Sequence, residues 1–148
     1  MNEFNKILGK SFSKVSRIIV TEGSEPHQLF DSLLFSSENE DLKFQIQTNQ
    51  KGISIIFVKD ESNLVIDGEY NIEKIEYENM FKSEKNTIKE VDVFWDETKL
   101  YIVGFVFICN DMKLCFIRLV DEINLEFEEE FYKQMENVKS YTVEKLLN

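Results

Sequence analysis

The side chains best equipped for chemistry are one histidine, two cysteines and several runs of carboxylates. His27 follows Pro26 in the loop-like stretch EGSEPHQ, and no Ser or Cys nucleophile and no acid can be tied to it by spacing. It reads as a solvent-facing loop histidine rather than a catalytic base. Cys109 and Cys115 flank one turn, have no histidine nearby and form no CxxC pair, which removes the common zinc spacings. Free buried thiols are the reading. The five glycines are scattered singly, so no phosphate-cradling loop can be drawn. No catalytic residue, cofactor or metal is therefore expected, and the chain is expected not to be an enzyme.

Carboxylates are the one abundant resource. Asp60-Glu61, Asp96-Glu97, Asp121-Glu122 and Glu128-Glu129-Glu130 all fall at strand ends or a helix start. A glycosidase holds two carboxylates across a cleft, and a calcium loop alternates them densely before a closing Glu; the calcium pattern is absent and no cleft pair stands out. Two readings stay open: solvated turns, or an acidic face that steers a basic partner. On the second, the contact residues are Glu38, Glu40 and Asp41 in one loop, Phe94, Trp95, Asp96 and Glu97 at a strand end, and Glu128 and Glu129 at the helix start. Trp beside carboxylates is a common composition for an interface centre. Strand alternation sends one of Phe94 and Trp95 into the core and leaves the other exposed.

The charge balance agrees with a protein partner. A formal net charge of −11 on 148 residues argues against nucleic acid and against anionic membrane surfaces, both of which reward a basic face. The start MNEFNKILGK lacks the features of a secretory signal, and no stretch supplies the roughly 20 apolar residues a spanning helix needs. A cytoplasmic protein is expected. Hydrophobic content of 43% with 13 Phe excludes a disordered chain.

The elements that must position these residues are organised around Tyr101 to Val120, YIVGFVFICNDMKLCFIRLV. Two runs rich in Val, Ile and Phe are broken at Asn110-Asp111, which predicts a buried hairpin. An earlier stretch repeats its spacing: Leu33 and Phe35 fall on Phe105 and Phe107, and Leu42 and Phe44 on Leu114 and Phe116. Ile53 and Ile55 fall on Leu125 and Phe127, and Ile18 and Val20 on Val91 and Val93 once a loop residue is dropped. The fold class expected is α+β, mainly β: two similar four-stranded antiparallel meanders, each preceded by a short helix, with a C-terminal amphipathic helix. All of it forms a single domain over 1–148, with pseudo-repeats 8–58 and 81–127 and the final helix over about 128–139. Phe4, Ile7 and Leu8 followed by Gly9 mark the first short helix, and Asn79 to Lys82 the second. Phe131, Met135 and Val138 share a face of the last helix. Between the copies, Asn63 to Ile66 and Tyr70 to Tyr77 read as weaker strands.

The copies differ in their outer faces. Leu42, Phe44 and Ile46 point one way and Lys43, Gln45 and Gln47 the other, so the first copy is polar outside. In the second, Cys115, Ile117 and Leu119, with Val106 and Ile108, make that face apolar. It needs a cover: the C-terminal segment, a second copy of the chain, or a different protein. Arg118 matches the inward Ile46, where pairing with a carboxylate is expected.

Asn86 to Val120, NTIKEVDVFWDETKLYIVGFVFICNDMKLCFIRLV, and its copy Val15 to Gln47 resemble small bacterial proteins of unknown function found among the immunity proteins of toxin systems. The resemblance implies a protein that binds and blocks a cognate toxin, and it carries over no catalytic residue. The expected function is that of an acidic binding protein occluding a basic toxin domain, for instance a nuclease. The alternative is a homodimeric structural or assembly module using the apolar outer face of the second meander.

Overall fold

The computed structural model describes residues 3–22, 28–37, 43–49, 52–58, 70–76, 86–98, 101–110, 112–119 and 122–144. The chain makes a 3-10 turn at Glu3–Ile7, then β1 (Ser11–Phe12), β2 (Lys14–Glu22), β3 (Gln28–Ser36), β4 (Lys43–Asn49), β5 (Gly52–Val58) and β6 (Tyr70–Glu76). It continues with β7 (Asn86–Asp96), β8 (Tyr101–Cys109), β9 (Lys113–Leu119), β10 (Glu122–Glu126), the helix α1 (Glu128–Gln134) and β11 (Lys139–Glu144). Among the described residues these strands form two antiparallel sheets. One is ordered β5-β4-β3-β2-β6; the other is ordered β1-β7-β8-β9-β10, with β11 also on β7. The protein is thus mainly β, and β2–β5 and β7–β10 each run as a meander. His27, the helix expected at Asn79 to Lys82 and the strand expected at Asn63 to Ile66 lie outside the described residues. So does the stretch expected as a loop from Glu22 to Gln28, apart from those two end residues, which belong to strands.

The sheets pack face to face because each presents one continuous apolar face. Directly paired strand residues lie side by side on the same face, and the pairs Phe35 with Phe44, Leu33 with Ile46, and Phe105 with Phe116 are all buried. Phe35 is the hub. Its ring lies 4.7 Å from Phe44 within its own sheet, 5.3 Å from Phe107 and 5.8 Å from Phe116 across the gap, and 5.2 Å from Phe12. One residue, Ser13, separates β1 in one sheet from β2 in the other, so the chain changes sheet there, and its N–H donates to the Ser36 carbonyl at 2.9 Å.

Pairing registers revise the expected correspondence between halves. Leu33 and Phe105, Phe35 and Phe107, and Phe44 and Phe116 do share the inner face. Ile18 and Val91 do not: Ile18 pairs with Ser32 on the outer face, whereas Val91 pairs with Phe107 on the inner one. A bulge between Ile88 and Glu90 reverses the alternation in β7, and β2 has no register shift at the corresponding place. Phe127 is not the counterpart of buried Ile55; it lies beyond β10 and is exposed. The outer face of β2–β4 is also less polar than expected, since Ile18 and Leu34 are buried there. Gln45 is buried beside them, its amide donating to the Ser32 hydroxyl at 2.7 Å.

The apolar outer face of the second sheet is covered by the chain's own α1. Phe131 and Met135 bury themselves on Phe94, Val106, Cys115 and Ile117, and each such burial is worth roughly 1.5–3 kcal/mol. The helix is shorter than expected. It ends at Met135, and Lys139–Glu144 instead pairs with β7 from Trp95 to Glu90. Helical spacing made Val138 look like a continuation, but β7 had an unpaired edge and KSYTVE, with the strand formers Tyr141, Thr142 and Val143, fills it. Gly104 permits the close approach: a Cβ there would lie 2.9 Å from Phe131 Cε2, 3.0 Å from Met135 Cε and 3.1 Å from the Phe116 carbonyl oxygen.

At the other end of the chain the expected first helix is a 3-10 turn, with Phe4 and Ile7 buried and Gly9 at φ +83°, a left-handed conformation that favours glycine. Gly9 then donates to the Ile88 carbonyl at 2.8 Å, and the Ile88 N–H donates to Lys10 at 2.9 Å, so the edge of β7 is occupied near Ile88 as well. Glu3 turns back: its carboxylate accepts the Ile55 N–H at 3.1 Å and the Lys6 ammonium at 2.8 Å.

Gly104→Ala should cost about 1–3 kcal/mol of stability, because the clash includes backbone as well as side chain. Urea unfolding checks it, and an unchanged midpoint would show that α1 does not lie on β8. The Glu3 carboxyl is held below its ordinary 4.5, first by Lys6 and then by the Ile55 N–H. A depressed folded-state value gives stability that is present above the unfolded one and lost as pH falls through the folded one. The gap in urea midpoint between wild type and Glu3→Gln should therefore shrink as pH falls below 4.5; a gap that widens would contradict the contact.

Candidate binding surface

The residues expected to form one acidic face are dispersed. Glu38, Glu40 and Asp41 lie outside the described residues. Phe94 is buried, its ring 5.1 Å from Phe131 and 6.2 Å from Tyr132, and so belongs beneath α1 rather than in a contact surface. The expectation that it could meet a partner is corrected by that packing. Trp95 is half-buried, and strand alternation had allowed for either ring to be inside.

Asp96 and Glu97 are engaged locally. The Asp96 carboxylate accepts the Thr98 N–H at 2.8 Å and its hydroxyl at 2.6 Å, closing the turn after β7. Glu97 meets Lys139 at 2.7 Å across to β11, and this hydrogen bond raises the lysine above its ordinary value. Both partners are exposed, so the pair adds little to stability. Tyr141, 45% exposed, sits diagonally from Trp95 on the same face of the β7–β11 ladder. The sequence pointed to neither residue: the expected helix ran to about 139, taking in Lys139, and no strand was expected beyond it to place Tyr141.

Glu128 and Glu129 sit at the opposite end of the second sheet, where β9 begins and β10 finishes. Here the geometry is more distinctive. Phe127 is the N-cap residue of α1, and its extended backbone, φ −66° and ψ 143°, carries the ring out of the apolar stripe that its spacing from Phe131 would otherwise give it. It is 72% exposed. Glu126, Glu128, Glu129 and Glu130 surround it in sequence; Glu126 accepts the Phe127 N–H at 3.1 Å, and Glu128 lies 3.9 Å from Lys113. The three leading glutamates also suit the positive end of the helix. A signal was present in the sequence, since EFEEE sets an aromatic among four acids at a strand-to-helix junction.

No family model, curated protein or solved structure matches the chain.

The remaining reactive groups are packed away. Cys109 faces the inter-sheet core and Cys115 faces α1, on opposite sides of their hairpin, so the two sulfurs are not placed to bond each other. Among the described residues no cluster of His, Cys, Asp and Glu could hold a metal. Arg118 is buried with its guanidinium 4.6 Å from the Tyr101 ring centre and Nη1 3.5 Å from the Ile102 carbonyl oxygen, so its setting includes an aromatic face and a backbone dipole. No helix among the described residues is long and apolar enough to cross a membrane.

Burial pushes both thiols up to about 12, with Glu128 adding to the effect at Cys115. Raising the pH to 9 should therefore scarcely speed their alkylation in the folded protein, while both should react promptly in denaturant. Rapid labelling of either thiol under native conditions would contradict the packing.

Proposed function

We propose that this protein is a non-enzymatic acidic binding protein of the immunity type, acting in the cytoplasm by occluding a basic toxin domain. The observation that carries the reading is Phe127, an aromatic side chain 72% exposed and set among Glu126, Glu128, Glu129 and Glu130 at the head of a helix anchored by buried Phe131. An exposed ring held by a fixed backbone offers hot-spot area at small conformational cost, and the carboxylates around it favour a Lys- or Arg-rimmed pocket. The net charge of −11 would speed encounter with such a partner. Glu38, Glu40, Asp41, Trp95, Asp96 and Glu97 belong to the same reading as secondary contributors.

The two meanders are taken, within this proposal, as versions of one ancestral unit, on their common strand order and the shared facing of Leu33 with Phe105 and Phe35 with Phe107. The alternative is a homodimeric module using the outer face of β7–β10; Phe131 and Met135 of α1 pack on that face, which favours the first reading.

The test is to mix the purified protein with the product of the adjacent gene and follow binding by calorimetry, alongside protection of cells that express that product. Phe127→Ala should weaken the complex by about 2 kcal/mol or more, roughly thirtyfold in Kd. Reversing Glu128 and Glu129 to Lys should mainly slow association and reduce its salt dependence. Absence of any complex at micromolar concentration, or of protection, would sink the reading.

A further inference from the structure

Among the described residues β5 ends its sheet, pairing with β4 on one side. An edge of that kind offers unpaired backbone groups to any further strand. In an antiparallel ladder the N–H and C=O of alternate residues point to opposite sides, and the Ile55 N–H points to Glu3 rather than to β4. The outward row is therefore that of Ile53, Ile55 and Phe57. Gly52–Val58, GISIIFV, contains no charged residue, and Ile56 and Phe57 are 42% and 38% exposed. Such a strand is suited to pairing with itself. A twofold axis at Ile55 would set Ile53 opposite Phe57 twice, bring no like charges together, and form a closed, isologous contact.

We infer that the N-terminal 3-10 turn is a built-in stop on this edge, its Glu3 carboxylate occupying the Ile55 N–H, and that the strand it excludes is β5 of a second copy of the chain. The turn is well anchored for the role. Phe4 and Ile7 are fully buried, with the Phe4 ring 5.1 Å from Phe105, while Lys6 steadies the carboxylate from its own turn. Lys10 reaches the same strand, its ammonium 5.9 Å from the Phe57 ring centre. A carboxylate held against a backbone donor also sets a charge where a neighbouring strand would have to approach, which is a common way of blunting an edge.

The experiment compares wild type, Glu3→Gln and Glu3→Ala by sedimentation over low to high micromolar concentrations. Wild type and Glu3→Gln should remain monomeric, because the glutamine oxygen can still accept the Ile55 N–H. Glu3→Ala should self-associate at least roughly tenfold more tightly, and adding Phe57→Lys to it should restore the monomer. A Glu3→Ala protein that stays monomeric throughout, or one whose dimer survives Phe57→Lys, overturns the inference. Wild type carries an independent readout in hydrogen exchange: the Ile55 amide should be protected like the ladder amides of β4, and exchange at the rate of an open amide overturns the inference equally.

Discussion

A hairpin that is apolar on both faces must be covered twice, and β8–β9 is such a hairpin. Phe105, Phe107 and Phe116 face one way, and Val106, Cys115 and Ile117 the other. The first set is met by the opposing sheet through Phe35 and Phe44, the second by α1 through Phe131 and Met135. Most of the remaining architecture follows from this double requirement. The opposing sheet must be brought over by a chain that changes layer at Ser13, and the helix must be set down across β8 and β9 straight after β10. Once the helix has crossed, the chain stands beside the open edge of β7, and β11 forms where unpaired backbone would otherwise face solvent.

How legible this was depended on whether a residue's role is set by alternation or by its neighbours in space. The two meanders, the inward set Leu33, Phe35, Phe105, Phe107 and Phe116, and the need to cover the second outer face all follow from period-two patterning. What patterning could not show is where it is interrupted. The bulge at Ile88 and Glu90 reverses the facing of β7 without any unusual residue to announce it, so Ile18 and Val91 looked equivalent and are not. The end of α1 was hidden for a related reason. Phe131, Met135 and Val138 satisfy helical spacing whether or not the helix continues, and the decision lay with the empty edge of β7, far away in sequence. Gly104 stood out to no local rule, because its reason is an aromatic ring placed upon it by a helix 27 positions later.

The acidic surface shows the same division. Counting carboxylates revealed the charge but not its distribution, and charge that is already answered recognises little. Asp96 is taken up by the Thr98 turn and Glu97 by Lys139, so the end of the second sheet near Trp95 is electrostatically more settled than its sequence suggests. At the opposite end Glu128 has Lys113 at a distance of 3.9 Å, and Glu129 and Glu130 are exposed. Carboxylates of this second kind keep their reach toward an incoming cation, subject to screening by salt.

The packing constraint and the proposed recognition meet at Phe127. A ring left in solvent at a chain end would lose most of its value to a partner through the entropy of fixing it. This one is fixed beforehand: its backbone caps α1, its N–H is held by Glu126, and four residues later Phe131 is buried over Gly104. Rigidity at the tip is thus inherited from the close approach of helix to sheet. A change that lifts α1 from β8 would loosen the binding surface before it unfolded the protein, so affinity on the proposed reading depends on a glycine that no partner touches.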